Sequence, residues 1–101
     1  MVLRIAGHQV SVATDGESGL RLIRESMPDV VVSDIRMPGI DGHKLVSILR
    51  ADPATAMIPV LLMSGHGHAD KNSCDAFLAK PFPISELLAA VQQLAKRRTG
   101  V

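Results

Sequence analysis

The sequence predicts an α/β fold in which a parallel sheet carries helices on both faces. Three observations lead there. Short β-branched and aliphatic runs alternate along the chain with stretches of helical spacing. Two of these runs, Val30-Val31-Val32 and Val60-Leu61-Leu62-Met63, are apolar throughout, as suits parallel strands covered on both sides. The breaks between elements are Asp-Gly, Asp-Pro, Pro-Gly and Ser-Gly, the residues of turns and caps.

In chain order, residues 9–13 read as a strand around Val10 and Val12, ending at the turn pair Asp15-Gly16. Residues 17–27 read as a helix with Leu20, Ile23 and Met27 on one face, capped by Asp15 and stopped by Pro28. Asp29 leads into the strand 30–32, which Ser33-Asp34 ends. A Pro- and Gly-rich loop follows, and Asp41 caps a helix over 42–51 that turns Leu45, Ile48 and Leu49 inward with Val46 beside them. Asp52-Pro53 breaks it. Pro59 opens the strand 60–63, closed by Ser64-Gly65. Residues 65–73 are polar and hold at most one helical turn. A third short strand spans 75–79, and Lys80-Pro81-Phe82-Pro83 is a turn. Ser85 caps a last helix with the stripe Ile84, Leu87, Leu88, Val91, Leu94 and Ala95. Lys96, Arg97 and Arg98 complement its carboxyl-terminal dipole.

Composition narrows the function classes. A chain of 101 residues fits one domain, residues 1–101, with a basic tail at 96–101. At 47% apolar and 21% charged it is globular rather than disordered. Phe77 and Phe82 are its only aromatic residues, so the core is aliphatic. A net charge of +1 gives no electrostatic case for nucleic acid or an anionic membrane as the main partner. The single Cys74 excludes an internal disulfide and a zinc site with several thiolates. No apolar run approaches the roughly 18 residues of a membrane span, and no signal-peptide pattern opens the chain, so the expected compartment is the cytoplasm. No Gly-rich phosphate loop precedes a helix, which argues against a nucleotide-binding domain.

In open parallel sheets, sites form past the carboxyl ends of the strands. Asp34, Ser64 and Lys80 each follow such a strand. An acid, a hydroxyl and an amine at one edge can act as nucleophile or metal ligand, oxyanion donor and counter-ion, respectively. Each alone is also an ordinary polar strand end.

Together these residues carry a family resemblance. The segment Val32-Ser33-Asp34-Ile35-Arg36-Met37-Pro38-Gly39-Ile40-Asp41-Gly42 resembles the phosphoacceptor motif of response-regulator receiver domains, the CheY-like family. Leu62-Met63-Ser64-Gly65 resembles its fourth-strand segment, and Asp75-Ala76-Phe77-Leu78-Ala79-Lys80-Pro81-Phe82 its Lys-Pro segment. Gly7-His8-Gln9-Val10 and Ala13-Thr14-Asp15-Gly16 match its second strand and the turn after it. The resemblance covers residues 3–95 and implies a flavodoxin-like sheet with helices on both faces.

The resemblance also implies roles. Asp34 accepts a phosphoryl group from a histidine kinase or a histidine phosphotransfer protein. Ser64 and Lys80 contact that group, and Phe77 is the aromatic switch that follows Ser64. Asp34 and the backbone carbonyl of Arg36 are the metal ligands. The Lys80-Pro81 peptide is a candidate cis bond that aims the ammonium into the site. Such a domain catalyses its own phosphorylation and dephosphorylation weakly and is not a conventional enzyme.

Two departures temper the implication. The family opens with a strand ending in two adjacent acidic residues, followed by a helix. Here Leu3 and Ala6 match the last turn of that helix, so the first strand and most of the first helix are expected to be missing. Without the acidic pair, Mg²⁺ binding is expected to be weak, and Asp41 lies too far along the loop to substitute. The interval from Ser64 to Lys80 is also shorter than the family's, at the expense of its fourth helix. His66, His68, Asp70 and Cys74 in that interval match no defined metal template and read as a polar loop.

A lost strand would leave a gap of about 10 Å, twice the usual spacing. Strand 9–13 then pairs directly with 30–32, or a second chain fills the gap; alternatively residues 1–5 form a strand. Apolar surface uncovered beside the last helix favours a homodimer. Two functions remain: a phosphorylatable receiver of a two-component phosphorelay, or a degenerate receiver that serves as a phosphorylation-independent interaction or dimerisation module.

Overall fold

A β-hairpin opens the chain in the computed structural model, which describes residues 1–65 and 74–99. Strand β1 (Val2–Ile5) runs antiparallel to β2 (His8–Ala13), with Leu3 opposite Val10 and Ile5 opposite His8. Ala6 and Gly7 make the turn with φ of 53° and 83°. Two successive positive φ values are the pattern of the hairpin turn whose twist matches that of the flanking strands.

The chain continues through α1 (Gly16–Ser26), β3 (Val30–Asp34), α2 (Gly42–Ala51), β4 (Val60–Ser64), β5 (Ala76–Ala79) and α3 (Ile84–Thr99). The sheet has the order β1-β2-β3-β4-β5, and every pair after the first is parallel.

This sheet corrects the expectation of a missing first strand and a mostly missing first helix. β1 is present at the edge, and the first helix is a full 11 residues. Leu3 lies in a strand and Ala6 in a turn, not at a helix end. The physical reason is the reach of the hairpin. A two-residue turn folds Val2–Ile5 straight back onto β2, where its amides find partners. β2 meanwhile pairs directly with β3, Val10 beside Val30 and Val12 beside Val32, so no gap opens.

Helix α1 begins at Asp15, whose carboxylate accepts from the Glu17 and Ser18 amides, and ends at Met27, where φ is 46° just before Pro28. In α2 the Asp41 carboxylate accepts from the Lys44 amide at 2.8 Å. Ser85 is not a cap: it lies inside the first turn of α3, which starts at Ile84.

The two sheet faces divide the core. Ala13, Val31, Val60 and Leu62 pack with Ile23 of α1 and with Leu45, Val46 and Leu49 of α2. Val10, Val30, Val32 and Leu61 pack with Val91, Leu94 and Ala95 of α3. Each fully buried aliphatic side chain contributes about 1.5–3 kcal/mol. Ile84 and Leu88, read as part of the inward stripe of α3, are instead 66% and 37% exposed.

Ala6 is the strained point of the hairpin, because a β-carbon in the left-handed region costs about 1–2 kcal/mol. Ala6→Gly relieves that strain and gives back part of it in chain entropy. Thermal unfolding should show a gain of about 0.5–1 kcal/mol; a loss would mean that this turn is not formed.

Candidate functional site

Backbone register brings three strand ends level. Asp34 sits beside Met63 and Ser64 beside Ala79. Past the strands, the Ile35 amide donates to the Met63 carbonyl at 2.9 Å and the Lys80 amide to the Ser64 carbonyl at 2.8 Å. A cleft of about 250 Å³ opens there, lined by Asp34, Arg36, Met63, Ser64, Gly65 and Lys80.

Within it the Lys80 ammonium forms an ion pair with Asp34 Oδ1. The two side chains are 43% and 35% exposed, so water screens the pair and its net worth is about 0–1 kcal/mol. The Lys80-Pro81 peptide is cis. Arg36 is exposed and makes no ion pair among the described residues.

Asp34, Arg36, Ser64 and Lys80 are thus together in one cleft. Phe77 is not in it: it pairs with Leu62 and packs against the core on the α1/α2 side. Asp41 is engaged as the cap of α2. His66, His68 and Asp70 lie outside the described residues, whereas Cys74 is half-buried at the approach to β5.

The family's Mg²⁺ requires about six oxygens in octahedral array. Among the described residues no three His, Cys, Asp or Glu side chains gather as a metal-binding group. The one carboxylate in the cleft already faces an ammonium, and a guanidinium-bearing residue lines the same walls. The cleft offers Mg²⁺ one carboxylate, that of Asp34, and leaves most of its octahedron to water.

Several residues that the sequence left unremarked shape the cleft. Ser33, fully buried, donates to the Asp34 carbonyl at 2.8 Å and also contacts Met37 Sδ. The loop after β3 folds over α1, where the Gly16 amide donates to the Pro38 carbonyl. Gly42 lets α2 start hard against the end of β3: its amide donates to the Ile35 carbonyl at 2.7 Å, and a β-carbon there would lie 2.7 Å from the Asp34 carbonyl oxygen. Arg50 donates to the Ala56 and Ile58 carbonyls and pairs with Asp75 just before β5. No signal at one position distinguishes these residues from ordinary loop and helix residues.

Residues 1–92 match the family model of the response regulator receiver domain. The chain belongs to that family. It is therefore a protein of two-component signal transduction.

Relatives of this receiver give the same picture. The transcriptional regulatory protein PrrA of Mycobacterium leprae is 39% identical over 102 residues, covering 95% of this chain and 43% of PrrA. The receiver thus spans less than half the length of that relative. A solved receiver domain, that of the Francisella response regulator 1452, is 37% identical and superposes with a TM-score of 0.73, covering 84% of this chain and 74% of its own. The receiver domain of the Pseudomonas aeruginosa sensor histidine kinase PA1611 shares the fold at 22% identity and a TM-score of 0.71, covering 82% of this chain and 73% of its own; its cleft holds a coordinated magnesium ion.

Gly42→Ala forces the Asp34 carbonyl or the start of α2 to move. Overpacking of this kind costs about 1–3 kcal/mol. Urea unfolding should show that loss even though Ala is the better helix former; unchanged stability would mean that α2 does not abut Asp34 as described.

Proposed function

We propose that this chain is a phosphoacceptor domain of a phosphorelay, with Asp34 as the acceptor and a histidine kinase or histidine phosphotransfer protein as its donor, acting in the cytoplasm. The observation that carries the reading is the convergence of Asp34, Ser64 and Lys80 in one solvent-open cleft. An Asp34 carboxylate oxygen attacks the phosphorus of a phosphoimidazole. The P–N bond breaks, its electron pair returns to the ring nitrogen, and that nitrogen takes up a proton as the acyl phosphate forms. Lys80 releases the carboxylate to the new bond and stays to neutralise the phosphoryl oxygens, while Ser64 offers a hydroxyl to one of them. Phe77, one strand pairing away from the cleft, is the residue whose packing reports the change at Ser64. The domain contributes only positioning and charge, so its own phosphorylation and dephosphorylation are slow.

The sequence holds no two adjacent acidic residues, and the donor set is poor for Mg²⁺. Mg²⁺ held through Asp34 and the Arg36 carbonyl is accordingly bound weakly, and Mg²⁺-dependent transfer is impaired. The same observation favours a second reading, a degenerate receiver that binds partners without phosphorylation. Intact-mass measurement after incubation with acetyl phosphate separates the two. A single phosphoryl adduct, absent from Asp34→Asn, is the expected result. No adduct, with partner binding unchanged in Asp34→Asn, would establish the degenerate module.

A homodimer belongs to this proposal. β1 is an edge strand whose Val2 and Leu3, with Met1 before them, are 38%, 40% and 64% exposed. Pairing of two such edges covers that apolar surface and satisfies the outward amides. Sedimentation should show concentration-dependent dimerisation that Leu3→Lys weakens; a monomer at every concentration would refute it.

A further inference from the structure

We infer that β1 is an exchangeable strand: two copies of this chain open the Ala6-Gly7 turn and trade Val2–Ile5, so that each β1 pairs with the β2 of the other copy. The inference goes beyond the edge pairing proposed above, in which each hairpin stays closed.

The hinge is the first argument. The turn has two residues, Ala6 and Gly7, and Ala6 holds a φ of 53°. That left-handed conformation crowds its β-carbon against the backbone. Short connections under strain favour exchange, because opening them releases the strain without giving up any native pairing. Once the turn is extended, residues 2–13 form one long strand. The register that sets Val2 opposite Ser11 and Ile5 opposite His8 then runs on through the hinge, with Ala6 of each copy opposite Gly7 of the other. Strain leaves two hinges per dimer, which favours association by about 30- to 1000-fold.

The second argument is how lightly β1 is held. It is a four-residue strand at the edge of the sheet, hydrogen-bonded to β2 alone. Val2, Leu3 and Arg4 are exposed, and Ile5 packs into the layer under α3. β2 does not depend on β1 for its place. The Gln9 amide and carbonyl are both bonded to Asp29, on the side away from β1. β2 therefore stays beside β3 when β1 leaves.

The third argument is symmetry. Two identical strands that pair antiparallel have their two-fold axis normal to the sheet. The exchange thus joins two sheets into one, with both α3 helices on the same face. The β2 strands of the two copies run in opposite directions, so the two Asp34 clefts point to opposite ends of the joined sheet. A second copy is accommodated without closing either site.

The test places a cysteine pair across the hairpin, Arg4→Cys with Gln9→Cys, in the full chain carrying Cys74→Ser. Arg4 and Gln9 lie opposite each other, as a pair without mutual hydrogen bonds whose Cα separation of about 4.5 Å suits a disulfide. The chain is concentrated, oxidised and run on a denaturing gel without reductant. Exchange yields chains linked to each other, whereas closed hairpins yield chains linked within themselves. Interchain dimers are expected, in a proportion that rises with the concentration before oxidation. Arg4→Cys alone is the control, since it links two chains only through their edges; equal interchain linkage in it would overturn the exchange. In sedimentation of chains without the cysteine pair, Ala6→Gly should weaken dimerisation about tenfold or more, and Ala6→Val should strengthen it, because a β-branched residue resists a positive φ. Dimerisation unchanged in both variants would also overturn the exchange. Sedimenting dimers whose disulfides all lie within one chain would defeat it and leave the edge pairing standing. Interchain links with dimerisation indifferent to Leu3→Lys would do the reverse. A monomer at every concentration, in Ala6→Val as in the parent chain, would defeat both.

Discussion

Asp29 and Asp75 hold the amino ends of two parallel strand pairs in the same way. The Asp29 amide donates to the Gln9 carbonyl while its carboxylate accepts from the Gln9 amide, both at 2.8 Å. The Asp75 amide donates to the Val60 carbonyl at 3.0 Å while its carboxylate accepts from the Val60 amide at 2.8 Å. Each aspartate thus closes a ring of two hydrogen bonds with the neighbouring strand, one residue before its own strand begins. A parallel pair slipped by one residue swaps the side chains of its two core faces, and these rings oppose such a slip at the point where pairing starts. Asp75 is further braced by Arg50, which also ties down the carbonyls of Ala56 and Ile58.

The cleft inherits its geometry from that register. Asp34 and Ser64 end adjacent strands, and Lys80 is delivered by the strand that Asp75 anchors. Magnitudes decide what does the assembling. The exposed Asp34–Lys80 pair is worth about 0–1 kcal/mol, less than a single buried valine or leucine. The ion pair is consequently a result of the fold and free to be rearranged by an incoming anion, while the aliphatic layers on both faces and the backbone ladder hold its members in place. A carboxylate held by weak contacts on a rigid sheet edge is the arrangement that the proposed phosphoacceptor role needs.

The elements that the sequence made legible are those whose pattern is set by burial. Val30-Val31-Val32 and Val60-Leu61-Leu62-Met63 are apolar because both sheet faces are covered, and α2 spans the residues its caps foretold. Asp34, Ser64 and Lys80 could be placed at one edge because parallel strands end on one side. The hairpin was legible only as one alternative among three, a strand over residues 1–5, and its turn was not. Val2–Ile5 is only four residues long, its alternation is weak, and Ala6 is not a residue that announces a positive φ. The rings made by Asp29 and Asp75 depend on a neighbouring strand far along the chain, so neither aspartate stands out in its local context. Arg36 drew notice only for its carbonyl; that the residue lines the cleft beside Asp34 depends on the course of the loop after β3.

The register claim can be measured directly through scalar couplings across hydrogen bonds. In the doubly ¹³C,¹⁵N-labelled chain, this account predicts couplings from the Ile35 amide nitrogen to the Met63 carbonyl carbon and from the Lys80 amide nitrogen to the Ser64 carbonyl carbon. Both amides should also exchange slowly with solvent. Couplings to other carbonyls, or a Lys80 amide that exchanges like open chain, would mean that the acid, hydroxyl and amine do not share a wall.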